Sequence, residues 1–316
     1  MAEIRQMVGR AGRRHGGSSC EAYVLVDEED LDEVASGMAG DAKFEVSSSM
    51  MSCDDLVFHV LAELCSGGVS DVAEAKAWYS RSFGARLAGR PSFEKVFERL
   101  EGCGAAERTP LGWVPTKEAY VAAELYFHPA DVKAWGDGFA ELFELGLEKD
   151  DAAVAWALGS APETEAPGDF GRHRFVMSMF RDALPAGLVA EPGTVAKGTL
   201  WWSALGGPSV GRMRNRVLEL RRDFGRVARA LGRLDDIREW GMRRYFGRLE
   251  ERVRKGVPEV LAELCRIPGV TKGRAEFLYN AGIRDRAGIR DEAESFDGEV
   301  DEGFMSVLRE VASGLR

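Results

Sequence analysis

The chain has 316 residues, 45% apolar and 30% charged, with 42 Lys or Arg against 52 Asp or Glu and a formal net charge of -10 at pH 7. There is apolar material for two or three compact domains, no run approaching the roughly 18 to 20 apolar residues of a membrane span, and no apolar signal core behind Arg5, Arg10, Arg13 and Arg14. A disordered chain, a membrane protein and an all-over coat for nucleic acid are thereby excluded, and a soluble, cytoplasmic protein is expected.

Cys20, Cys53, Cys65, Cys103 and Cys265 are odd in number and form no CxxC pair, and His15, His59, His128 and His173 are scattered. Reduced, mostly buried thiols are expected, with no metal site and no catalytic triad.

In chain order, Ile4 to Val26 reads as an Arg-rich helix start, a Gly16-Gly17-Ser18-Ser19 loop and a short strand over Ala22 to Val26. An acidic segment, Asp27 to Glu33, leads to a Ser/Met-rich stretch, Ser47 to Ser52, that suits a domain boundary. Helical patterns follow at Asp54–Cys65, Val69–Phe83 and Ser92–Gly102, separated by Gly67-Gly68 and Gly89-Arg90-Pro91. A Thr109-Pro110-Leu111-Gly112 turn between Ala105–Arg108 and Trp113–Pro115 then predicts a hairpin. Three helices and a two-stranded wing make a winged helix, the alternative being a packing domain with no DNA role. Helical patterns resume at Thr116–Phe143 and Arg172–Leu184, interrupted by a loop over Ser160 to Gly171.

Residues 210 to 255 hold fifteen Lys or Arg against seven Asp or Glu, so one basic element sits on an acidic body. Within it Met213, Val217, Leu220, Phe224, Val227, Leu231 and Leu234 alternate four and three apart, which places them on one face of a long helix. Arg222, Arg226, Arg229 and Arg233 fall roughly 140° to 200° from Phe224, on the opposite face. An ordinary solvated face is usually a mixture of Lys and Glu. A row of Arg, whose forked donors bind phosphate and whose plane stacks on bases, points to a nucleic-acid track, the alternative being an ordinary amphipathic helix with a solvated charged face. Phe224 lies in the apolar seam and is expected in the core.

Leu261 to Ile283 reads as helix, Pro268-Gly269 turn, helix and a stop at Gly282, a helix-hairpin-helix. Gly269 permits close backbone approach. The amides of Gly269, Val270, Thr271, Lys272 and Gly273 at the start of the second helix would hold a DNA phosphate without reading a base. The alternative is a helix pair that only packs.

Gln6-Met7-Val8-Gly9-Arg10-Ala11-Gly12-Arg13 resembles the sixth motif of superfamily II helicases, at the end of their second RecA-like domain. With the winged helix, the basic helix and the Ile267-Pro268-Gly269-Val270 hairpin in this order, nearly the whole chain resembles the C-terminal, DNA-handling half of archaeal Ski-two-like DNA-repair helicases, relatives of the polymerase theta helicase domain. The resemblance implies a mainly α fold. A short RecA-like remnant would span 1–45, a winged helix 46–118, a helical ratchet domain 119–256 and a helix-hairpin-helix domain 257–316. It further implies that Gln6, Arg10 and Arg13 serve ATP turnover, that the ratchet helix contacts single-stranded DNA, and that the hairpin domain brakes the exiting strand.

The sequence contains no GxxxxGK[ST] phosphate loop and no Asp-Glu-x-His motif. Alone, the chain is expected to bind no cofactor and hydrolyse no ATP. ATP and magnesium would enter only with a partner chain carrying the missing RecA-like parts. The expected function is the DNA-binding portion or subunit of a split 3'-5' helicase acting on single-stranded or forked DNA in repair. The alternative is a motor-less DNA-binding module with a relic motif, and an RNA helicase fragment is a weaker third.

Overall fold

A computed structural model describes residues 23–39, 48, 50, 52–87, 91–164, 174–189, 191–208 and 211–314. Gln6, Arg10 and Arg13 lie outside the described residues. Within them the chain is mainly helical.

The strand expected at Ala22 to Val26 is corrected at its described positions, Tyr23 to Val26, which belong to no strand. Strand formers become a strand only within a sheet, and the sheet of the described residues is the later pair over 106–115, which does not include them. A helix, α1 (Leu31–Ala39), follows.

The next unit starts with α2 (Cys53–Ser66), whose N-cap Ser52 accepts from the Asp55 amide at 3.0 Å and whose Leu56, Val57, Val60, Leu61 and Leu64 are buried. The single helix expected over 69–83 is instead two, α3 (Val72–Tyr79) and α4 (Phe83–Arg86). Serines divide them. The Ser80 hydroxyl donates to the Ala77 carbonyl at 2.7 Å and Ser82 caps α4, both drawing backbone groups out of a continuous helix.

Helix α5 (Phe93–Gly102) precedes the antiparallel pair β1 (Ala106–Thr109) and β2 (Gly112–Pro115), in which Arg108 opposes Trp113 and Thr109 opposes Gly112. The hairpin is pinned down at its turn. The Trp113 amide donates to the Ser70 carbonyl at 2.7 Å, and the Trp113 ring stacks on Phe97 at 5.4 Å. Gly112 is required here, because its φ is +125 and a Cβ would stand 2.6 Å from Ser70 O.

The helical pattern over Thr116 to Phe143 divides into α6 (Lys117–Leu125) and α7 (Pro129–Leu145). Pro129 forces the break, since it cannot donate into a running helix and suits the first position of a new one. Then come α8 (Asp151–Gly159), α9 (Arg174–Ala183) and α10 (Pro192–Ala204). Helices α8 and α10 cross at Gly159, where a Cβ would lie 2.5 Å from the Gly198 amide nitrogen, while over Gly198 the Phe180 ring of α9 takes the space, 2.6 Å from where a Cβ would stand. At Gly159 the two backbones meet where no side chain fits.

The basic stretch forms α11 (Arg214–Arg238), 25 residues long, and α12 (Arg243–Lys255). Beyond them lie α13 (Lys272–Asn280), α14 (Arg286–Glu292) and α15 (Glu302–Ala312). The first arm of the hairpin expected over 261–266 is not an α-helix but two 3-10 turns, Glu259–Leu261 and Leu264–Arg266. Prolines shorten it: Pro258 precedes the first turn, and Ile267, before Pro268, is pushed to the extended φ -74, ψ 121.

Buried apolar residues form two clusters, one drawn from Leu56 to Val253 and one from Val257 to Val311. No described helix is long and apolar enough to cross a membrane, and no described group of His, Cys, Asp and Glu could hold a metal ion. Cys53, Cys65, Cys103 and Cys265 are free thiols and half-buried, so the expectation of mostly buried thiols is too strong for these four.

Candidate nucleic-acid interface

The apolar stripe of α11 faces inward as its spacing predicts. Met213, Val217, Phe224, Val227, Leu231 and Leu234 are buried and Leu220 half-buried. Phe224 meets Trp201 of α10 edge-on at 5.6 Å, which removes it from any role as a base-stacking surface.

On the outer side, Arg222, Arg226 and Arg229 are exposed and Arg233 is half-buried. The four are not equivalent. Arg222 makes no hydrogen bond or ion pair with the described residues, and Arg229 reaches only the Gly225 carbonyl of its own helix, at 3.3 Å. Arg226 lies over the Phe127 ring at 4.5 Å and donates to the Tyr126 carbonyl at 3.4 Å. Arg233 pairs with Glu124, and that hydrogen bond holds the Glu124 carboxyl below the usual carboxylate range. The row therefore docks on the end of α6 with two members and leaves two open to solvent.

At the hairpin, Gly269 turns with φ +88. Val270 is buried and its amide donates to the Ile267 carbonyl at 3.0 Å, so it closes the turn. Thr271 caps α13 by accepting from the Arg274 amide at 3.4 Å. The amides of Lys272 and Gly273 stand in the first turn of α13, ahead of its own hydrogen-bond ladder. A Cβ built on Gly273 meets nothing within 4 Å, so the backbone there borders open space. The hairpin is braced from below. Arg274 donates to Gly269 O at 2.9 Å and to both Asp301 oxygens at 3.1 and 3.2 Å, and covers Phe304 at 4.7 Å.

Two grooves meet at Lys272. One runs beside α11 past Arg214 and Arg221, and the other runs under the hairpin turn past Lys255 and Arg266. The sequence gives no sign that these four cations line grooves: Arg266 lies on the hairpin's own first arm, and Arg214, Arg221 and Lys255 come beside it only through the packing of α11 and α12.

The same packing is held by a buried charge cluster. Arg252 is 4% exposed, pairs with Asp151 at the start of α8 and reaches Glu259 at 2.7 Å, while the other Asp151 oxygen accepts from the Glu259 amide at 3.0 Å. Burial pushes the Asp151 carboxyl above its ordinary range against the pull of Arg252. One guanidinium thus joins α12, α8 and the entry to the hairpin module.

No family model matches the chain. It is 24% identical over 307 residues to the ATP-dependent DNA helicase Hel308 of Thermococcus kodakarensis, an alignment covering 89% of this chain and 27% of that protein. The chain thus spans about a quarter of that relative's length, and over most of its own length it is similar to part of a DNA helicase.

Proposed function

We propose that the chain is the DNA-handling portion of a helicase and that α11 guides one DNA strand along Arg222, Arg226, Arg229 and Arg233. The observation that carries this reading is the arginine row itself, standing outside a buried apolar seam in a chain of net charge -10. Similarity to a DNA helicase over 89% of the chain supports it. Phosphates are what such a row recognises, because each guanidinium offers a fork of donors and a permanent charge.

In this reading residues 46–118 act as a winged helix, residues 119–256 as the ratchet domain and residues 257–316 as the module that grips the strand's backbone. Residues 1–45 bring Gln6, Arg10 and Arg13 to a nucleotide. The Lys272 and Gly273 amides and the Lys272 ammonium would take a phosphate as the strand leaves. A 3'-5' direction and a role at forks in repair follow from the family resemblance only. Among the described residues no group of His, Cys, Asp and Glu could hold a metal ion, and the sequence carries no GxxxxGK[ST] phosphate loop, so no step of ATP turnover is assigned to them. Those groups would come from other residues, in a separate chain or a longer one.

Fluorescence anisotropy with single-stranded, duplex and forked oligonucleotides at low ionic strength tests the DNA role. Binding that favours single-stranded or forked DNA is expected, and absence of binding to any of them contradicts it. The motor role separates from a motor-less module through Arg10→Lys, which should leave DNA affinity unchanged and abolish unwinding once the RecA-like parts are supplied.

A further inference from the structure

Helix α6 ends on Tyr126, which has φ +57 and is one of two non-glycine residues with positive φ among those described. Glycine is the residue that adopts this left-handed helix-stop without cost, and a side chain there is strained. The ring is not buried in return, for Tyr126 is 72% exposed. It is tilted 35° to Phe58 at 5.5 Å, and Phe58 in turn meets His59 edge-on at 5.8 Å. An open aromatic face therefore stands on a backing of two further rings.

The arginine row closes on the same turn, with Arg226 on the Tyr126 carbonyl and the Phe127 ring and Arg233 on Glu124. Neither the helix stop nor core packing calls for an exposed tyrosine here. We propose that Tyr126 is a stacking platform on which an unpaired nucleobase lies while the arginines of α11 take the neighbouring phosphates. The cationic surroundings favour a polyanionic strand over an apolar peptide as the occupant. This inference rests on the reading of α11 as a DNA track and adds a base contact that the row alone does not require.

The test compares a fluorescein-labelled oligo(dT) with an abasic strand of the same length and charge. Tyr126→Ala should weaken oligo(dT) binding roughly five- to a hundredfold while leaving the abasic strand within about twofold, and Tyr126→Phe should bind as the unsubstituted protein does. Tyr126→Gly, which relaxes the backbone, should show the same selective loss without a lower melting temperature, and so covers a failure of the alanine variant to fold. Equal weakening of both strands, or of neither, overturns the stacking role. Failure of the unsubstituted protein to bind either strand overturns the track on α11, and the platform with it.

Discussion

Helices α11 and α12 use one residue type in two ways. Arg252 is sunk among Asp151 and Glu259, Arg238 spans Glu118 at 2.8 Å and Asp137 at 3.0 Å, and Arg221 donates to the Ala204 and Ser203 carbonyls at 3.0 and 3.1 Å. Arg222 and Arg229, on the outer face, have no partner beyond their own helix among the described residues. What separates them is the presence of acceptors fixed by another element. A guanidinium costs much to bury and is kept inside only where carboxylates or carbonyls wait for it, whereas one without such acceptors stays in water, available to a ligand.

The largest effect is expected from removing the most deeply buried of the described arginines. Arg252→Ala strands the Asp151 carboxylate in a buried site, and urea unfolding should show a loss of about 3 to 5 kcal/mol. A loss below about 1 kcal/mol would place Arg252 with the solvent-facing set.

Next in size is a change that touches no charge. Gly159→Ala drives a methyl to 2.5 Å from the Gly198 nitrogen, and separating α8 from α10 should cost about 1 to 3 kcal/mol in the same measurement. An unchanged midpoint would mean that the crossing is looser than these distances state.

The smallest effect belongs to the docked members of the outer row. Arg233 and Glu124 form an exposed pair, with side chains 41% and 56% accessible, so Arg233→Ala should cost only about 0.2 to 1 kcal/mol. Because the Glu124 carboxyl is held low in the fold, the pair stabilises above the usual carboxylate range and loses its contribution as pH falls through the lowered value. In an NMR titration the Glu124 carboxyl should move up toward an ordinary glutamate in Arg233→Ala. No movement would show that Arg233 is not what holds it.

Much of α11 was legible in the sequence because a helix with one buried side writes that side as a three- and four-residue rhythm. Helices α8 and α10 were not. Ala152 to Gly159 are all buried, so Ala-Ala-Val-Ala-Trp-Ala-Leu-Gly carries no polar face to set a period. The hairpin β1–β2 was announced by its Pro-Leu-Gly turn, yet the break at Ser80 to Ser82 was not, because side-chain competition for backbone groups leaves the apolar pattern intact. The arginine row was readable as a face, but its division into docked and open members was not. That depends on Glu124 and Tyr126, some hundred residues away and brought alongside by packing.

A strand track on α11 requires the open arginines to meet phosphate. Single-strand affinity should be measured across a salt series for the unsubstituted protein and for Arg222→Ala/Arg229→Ala, two changes expected to leave stability within about 0.5 kcal/mol. Affinity should fall steeply and linearly on a log-log plot, with the slope shallower by about 0.7 for each arginine removed. An identical slope in the variant, or no affinity at low salt in the unsubstituted protein, would show that the outer arginines of α11 do not hold a DNA strand.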